Sequence, residues 1–223
     1  MTRPRAIAIT VTAILIAGVL IYLCLPKEPR YQGRTLTEWL NQADTAYAIS
    51  RGKPQNDPQW LSASNAIQQI GADAIPLLLK WASANDSRPK AALILWLDSN
   101  PKLHFHVRSA AEYQITGNMG FLLLRTKAKP AWPVLVRLTS AREPDRRWVG
   151  LFCLLVSKAD KDLVLPVCLR LIKDPDKSVQ LNTAYWFHFF YPQEAEAAGV
   201  CQLAPELISQ PTVETDTNRP LFR

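Results

Sequence analysis

Trp132–Leu138 reads WPVLVRL, and the same pattern is written twice more, as IPLLLKW at Ile75–Trp81 and LPVCLRL at Leu165–Leu171. Each copy has an apolar residue, a proline, three apolar residues, a lysine or arginine, and a large apolar residue. Proline suits the first turn of a helix, where its missing N–H has no intrahelical acceptor to lose. The pattern therefore predicts one helix start, used three times, with an apolar stripe behind it.

A second helical stretch precedes each copy. Asp57 and Pro58 fit an N-cap and first-turn proline, and Trp60, Ala63, Ile67 and Ile70 follow at helical spacing until Gly71. Asp73 is expected to cap the helix carrying IPLLLKW. A second pair spans 108–140 and turns at TKAK; a third spans 144–173 and turns at KAD. DPDKSV at Asp174–Val179 echoes EPDRRWV at Glu143–Val149, 31 residues earlier, and opens a fourth. Pro133 and Pro166 lie 33 apart, but Pro76 and Pro133 lie 57 apart, which leaves room for an extra helix near Lys90–Asp98. Upstream, Thr35 with Glu38 forms a capping box before Leu36, Trp39 and Leu40.

One helix pair cannot bury its apolar face alone, so pairs recurring at this period must stack. The expected fold class is all-α: a short α-solenoid of stacked helix pairs over residues 35–208. Strand-like alternation and a glycine-rich phosphate loop are both missing from the sequence. SQPTVETDTNRPLFR, residues 209–223, lacks helical periodicity and reads as a disordered tail.

The N-terminus carries a different message. After a short tail, residues 1–5, the run from Ala6 to Leu25 holds 20 uncharged residues, including Leu15 and Gly18. As a helix it would be roughly 30 Å long, the thickness of a bilayer's hydrocarbon core. A cleaved signal peptide is the rival reading, but bulky Tyr22–Leu25 offers no small-residue cleavage site. The preferred reading is a single-pass transmembrane anchor, residues 6–25, then a polar linker, residues 26–34, with the soluble part extracytoplasmic. Ala13 and Ala17 add a small-xxx-small pair that allows homo-oligomerisation as an alternative.

The heptamers, the PD helix starts at Pro144 and Pro175, and the segments YQGRTLTEWL (Tyr31–Leu40) and AIQQIGADAIPLLLKWA (Ala66–Ala82) resemble HEAT repeats. Together they resemble a bacterial group of membrane-anchored HEAT-repeat proteins. That resemblance implies a scaffold or protein-binding surface and brings no catalytic residues.

The chain is basic, with 26 Lys and Arg against 19 Asp and Glu. Between Lys102 and Arg147 nine basic residues face three acidic ones, whereas from Pro192 onward five acidic residues face two basic ones. A protein partner is expected, nucleic acid is disfavoured, and no cofactor, metal or catalytic role is assigned. Lys80, Arg137 and Arg170 each fall four residues after the repeated proline. They form a candidate basic ladder for acidic side chains, set against the plain reading of solvated helix positions. YWFHFFYP, Tyr185–Pro192, turns six aromatics around one helix. Tyr185, Phe189 and Phe190 are candidates for a partner patch, unless a helix at Glu194–Ile208 covers them. Cys24 belongs to the expected anchor, and Cys153, Cys168 and Cys201 lie in apolar helical patterns and read as core, with one disulfide left open if the domain is exported. His104 and His106, two apart, share no helical face and make a poor metal site.

Overall fold

The computed structural model describes residues 28–50, 52–100, 103 and 105–200. The expected anchor (Ala6, Leu15, Gly18, Leu25), Cys24, His104, Cys201 and the tail 209–223 lie outside the described residues. Among the described residues no helix is long and apolar enough to cross a membrane.

The chain is mostly helical, and among the described residues there is one small hairpin. Strands β1 (Arg30–Tyr31) and β2 (Arg34–Thr35) pair antiparallel, Arg30 opposite Thr35. Gln32 and Gly33 make the turn with φ of 49° and 78°, the positive values a two-residue hairpin needs. The hairpin falls at the end of the stretch read as linker. Strands of two residues are too short to show alternation, and tertiary contacts hold this hairpin. The Trp39 indole donates to the Tyr31 carbonyl at 3.2 Å, and the Arg34 guanidinium lies 3.9 Å over the Trp39 ring.

Helix α1 (Leu36–Ile49) starts at the expected capping box: the Glu38 amide donates to Thr35 Oγ1, and the Thr35 amide donates to Glu38 Oε2. Asp57 caps α2 (Pro58–Ile70) by accepting from the Gln59 and Trp60 amides. The chain then passes through a 3-10 turn, Gly71–Ala74, into α3 (Ile75–Ala82). Asp73 lies within that turn, and α3 begins without a side-chain cap. After α4 (Arg88–Asp98) the same succession returns: α5 (Ala110–Leu124), a 3-10 stretch over Arg125–Ala131, and α6 (Trp132–Leu138). It is followed by α7 (Pro144–Val156), α8 (Lys161–Leu171), α9 (Lys177–Phe190) and α10 (Pro192–Ala197).

The junctions repeat more closely than the letters do. Gly71 turns the chain with φ 60°, ψ −130°, and Arg125 does so with φ 52°, ψ −134°. Lys158, between α7 and α8, also has a positive φ of 56°. Glycine tolerates that backbone; arginine and lysine occupy it under strain. The third heptamer departs from expectation. Its helix begins at Lys161, so Pro166 sits inside α8 rather than in its first turn. Residues 161–164, which correspond to the 3-10 residues 128–131 before α6, are already α-helical, and Pro166 leaves one backbone carbonyl a turn earlier without its usual donor.

Most packing runs between helices close in order, α1 on α2, α2 and α3 on α5, α5 and α6 on α7, α7 and α8 on α9, and α9 on α10, while α1 also meets α5 and α3 also meets α7. One buried core, from Leu36 to Val200, runs through all of them. Two glycines set the closest crossings. A Cβ on Gly117 would stand 3.0 Å from the Ala82 amide nitrogen and 3.3 Å from the Leu78 carbonyl oxygen. A Cβ on Gly150 would stand 2.9 Å from the Thr139 amide nitrogen and 3.0 Å from the Leu135 carbonyl oxygen. Leu78 and Ala82 occupy the same places after Pro76 as Leu135 and Thr139 do after Pro133. One crossing is thus built twice, its glycines 33 residues apart and its heptamers 57.

Candidate functional site

The end of α6, the turn after it and the first turn of α7 enclose a shallow cleft of about 430 Å³. Its lining is Ser83, Val134, Arg137, Leu138, Ala141, Arg142, Glu143 and Arg146. Three arginines and one glutamate therefore share the lining. Arg146 Nη1 lies 3.2 Å from Glu143 Oε2, while its Nε is buried without a hydrogen-bond partner. The backbone amide of Glu143 itself, with Arg146 and Arg142 nearby, holds the Glu143 carboxyl below its usual value against some desolvation. With Glu143 ionised the lining carries a surplus of two positive charges, over a floor of Leu138, Val134 and Ala141.

Arg147 points elsewhere and braces the cleft from behind. Its Nη2 and Nε donate to Asp174 Oδ1 and Oδ2 at 2.6 and 2.8 Å. Nη1 donates to the Ala141 and Arg142 carbonyls at 3.1 and 2.8 Å. These bonds fix the turn that presents Arg142. Burial raises the Asp174 carboxyl, but hydrogen bonds from Arg147 and from the Asp176 amide, with the Arg147 charge, outweigh it and leave the group below its ordinary value.

The three residues of the expected ladder end up in unequal surroundings. All lie in the last turn of their helices, where a cation suits the C-terminal end of the helix dipole. Lys80 is exposed at the end of α3, three residues before the cleft residue Ser83. Arg137 lines the cleft directly. Arg170 donates to the Thr139 carbonyl at 3.0 Å and to Thr139 Oγ1 at 2.6 Å, tying α8 to the end of α6. Its guanidinium is engaged in holding the stack together. Sequence reasoning counted Arg142 and Arg146 in the basic stretch without placing them. The available signal was AREPDRR, a basic turn between two apolar helices.

The aromatic stretch of α9 is largely folded in. Phe187 is buried, Trp186 meets Phe152 edge-on at 5.0 Å, and Phe152 in turn meets Trp148 at 5.5 Å. Tyr185, Phe189 and Phe190 sit around Trp186 with ring centroids 5.3 to 6.0 Å away, and of the three Phe189 is the exposed one. Cover comes mainly from α7. On the α10 side Tyr191 meets Phe187 and Ala195 is buried, while residues 201–208 of the expected covering helix lie outside the described residues.

Other candidates have structural partners. His106 pairs with Glu112 at 2.8 Å, and Glu112 also closes the Ser109 capping box of α5. Among the described residues no three His, Cys, Asp or Glu side chains gather as a metal site. Cys153 and Cys168 are free and buried. Burial pushes the Cys168 thiol up to about 12 and the Cys153 thiol higher still, so neither supplies a thiolate at neutral pH. No protein-family model, curated protein or solved structure matches the chain.

Proposed function

We propose that this protein is a membrane-tethered, non-catalytic helical-repeat scaffold of HEAT type, and that the cleft between α6 and α7 receives an acidic segment of a protein partner. The observation that carries the reading is the cleft's composition: Arg137, Arg142 and Arg146 around a single Glu143, above apolar floor residues. Arginine forks match carboxylates geometrically and shed water more readily than lysine. Support for the repeat architecture comes from neighbour-to-neighbour packing, the twin glycine crossings and the recurring junctions at Gly71 and Arg125. Support for the tether is the uncharged run Ala6–Leu25.

The test is crosslinking from a photoreactive residue at Val134 in the full chain, within intact membranes. The expected result is a distinct protein adduct that disappears in Arg137→Glu/Arg142→Glu. An adduct unchanged by both reversals would refute recognition by the cleft. Adducts made only of this chain would favour self-assembly instead.

A further inference from the structure

Helix α4 breaks the rule that governs its neighbours. RPKAALILWLD is apolar almost all round, a composition that normally marks a buried helix, yet α4 contains no buried residue. Its inner side, Ala91, Ile94 and Leu97, is half-buried. The outer arc holds Arg88, Ala92, Leu93, Leu95 and Trp96, all exposed, with Leu95 at 69 % and Trp96 at 55 %. The connection that follows adds Leu103 at 42 % and Phe105 at 77 %. The arc thus combines leucines and aromatics with a basic residue at its start.

We infer that the outer arc of α4, with Leu103 and Phe105, is a membrane-surface contact that seats its leucines and Trp96 among the headgroups of anionic lipid. An 11-residue helix is about 16 Å long, too short to span a bilayer but suited to lie in its interface. Tryptophan prefers that depth. Across Asp86–Arg108 the sequence has Arg88, Lys90, Lys102 and Arg108 against Asp86 and Asp98. Lys90 is paired with Asp86 at 2.6 Å and Arg108 is stacked 4.7 Å over Tyr113, so among the described residues Arg88 is the cation on the exposed arc for a lipid phosphate, with exposed Asp98 at the far end of the helix.

Chain length supports the same occupant, and here the inference rests on the tether reading. If Ala6–Leu25 spans the bilayer, only Pro26 and Lys27 separate it from Glu28, where the described structure begins. Three extended residue steps reach about 10 Å. A domain held that close turns some face to the membrane, and α4 offers an apolar arc with no partner among the described residues. A single shallow contact binds weakly, but a tether supplies the second attachment that makes it persistent.

The experiment reconstitutes the full chain into phosphatidylcholine vesicles with and without phosphatidylglycerol, each doped with lipids brominated at shallow acyl positions. Trp96 is isolated as the difference between the parent chain and Trp96→Phe. Alkaline carbonate extraction of the same vesicles reports the tether separately. The expected result is a Trp96 signal reduced to about half with anionic lipid, and restored in the parent background by Leu93→Glu/Leu95→Glu, which alters no buried side chain. Quenching of Trp96 in vesicles from which carbonate releases the chain would sustain the surface contact while refuting the tether. Unquenched Trp96 in carbonate-resistant vesicles would overturn the contact with the tether standing. Unquenched Trp96 in a chain that carbonate releases would overturn both.

Discussion

Helices α4 and α7 contain nearly the same raw material and meet opposite fates. ALILWL at Ala92–Leu97 has no buried residue, whereas VGLFCLLV at Val149–Val156 is buried throughout. Apolar content therefore does not decide burial here; the supply of neighbours does. Helix α7 meets α3, α5, α6, α8 and α9. Gly150 lets it approach the end of α6 to backbone distance, and Arg147 clamps its first turn to Asp174. Helix α4 has no such glycine, sits in the long interval between Pro76 and Pro133, and lies outside the neighbour-to-neighbour series.

The contrast breaks most severely at Gly150. Gly150→Val forces a branched side chain against the Thr139 and Leu135 backbone, and a loss of about 3 kcal/mol is expected in denaturant unfolding. A loss below about 0.5 kcal/mol would mean that the crossing is slack.

Arg147→Ala comes next. Arg147 and Asp174 are 12 % and 5 % exposed, between the regimes of surface pairs and fully buried ones, so a cost of about 2 kcal/mol is expected. The acid behaviour of Asp174 follows from the same pair. Its folded-state value lies below the roughly 3.9 of an unfolded aspartate. Its contribution is therefore complete above that value and fades as pH falls through the lower, folded value. In Asp174→Asn that part of the stability decline between about pH 5 and 2 should vanish, which unfolding midpoints across that range would check.

A gain is expected at the junctions. Arg125 holds the backbone that Gly71 holds one unit earlier, so Arg125→Gly should stabilise the fold by about 1 kcal/mol, seen as a raised midpoint. The smallest effect belongs to α4. Leu95→Ser/Trp96→Ser should change unfolding by less than about 0.5 kcal/mol, because neither side chain is part of the core. A larger loss would place α4 among the packed helices.

The sequence made the helical class legible because its signs are local. The Thr35–Glu38 capping box, the Asp57 cap and the recurring proline each act within one turn, and the structure has all three. The register of the heptamers was legible for the same reason, except in α8, which is already helical from Lys161, ahead of Pro166. The glycine crossings were not legible, since closeness is a property of two helices and neither glycine announces its partner. The 3-10 turns and the hairpin at Arg30–Thr35 were hidden likewise, being imposed by the packing around them.

For the site, charge was visible and place was not. Arg137 was picked out by its spacing, but Arg170 had a closer acceptor in Thr139, and Arg142 owes its position to carbonyls held by Arg147. For the aromatics of α9, the sequence did not show that Phe152 of α7 meets Trp186 or that Trp148 meets Phe152.

Amide hydrogen exchange on the full chain in phosphatidylcholine nanodiscs tests the division between the two regions most directly. Val149–Val156 should exchange only through global unfolding, and Ala91–Leu97 at least about a hundredfold faster, through local opening. Adding phosphatidylglycerol should slow Ala91–Leu97 alone. Equal protection of the two segments in neutral lipid would contradict the division, because it would mean that α4 is packed within the fold.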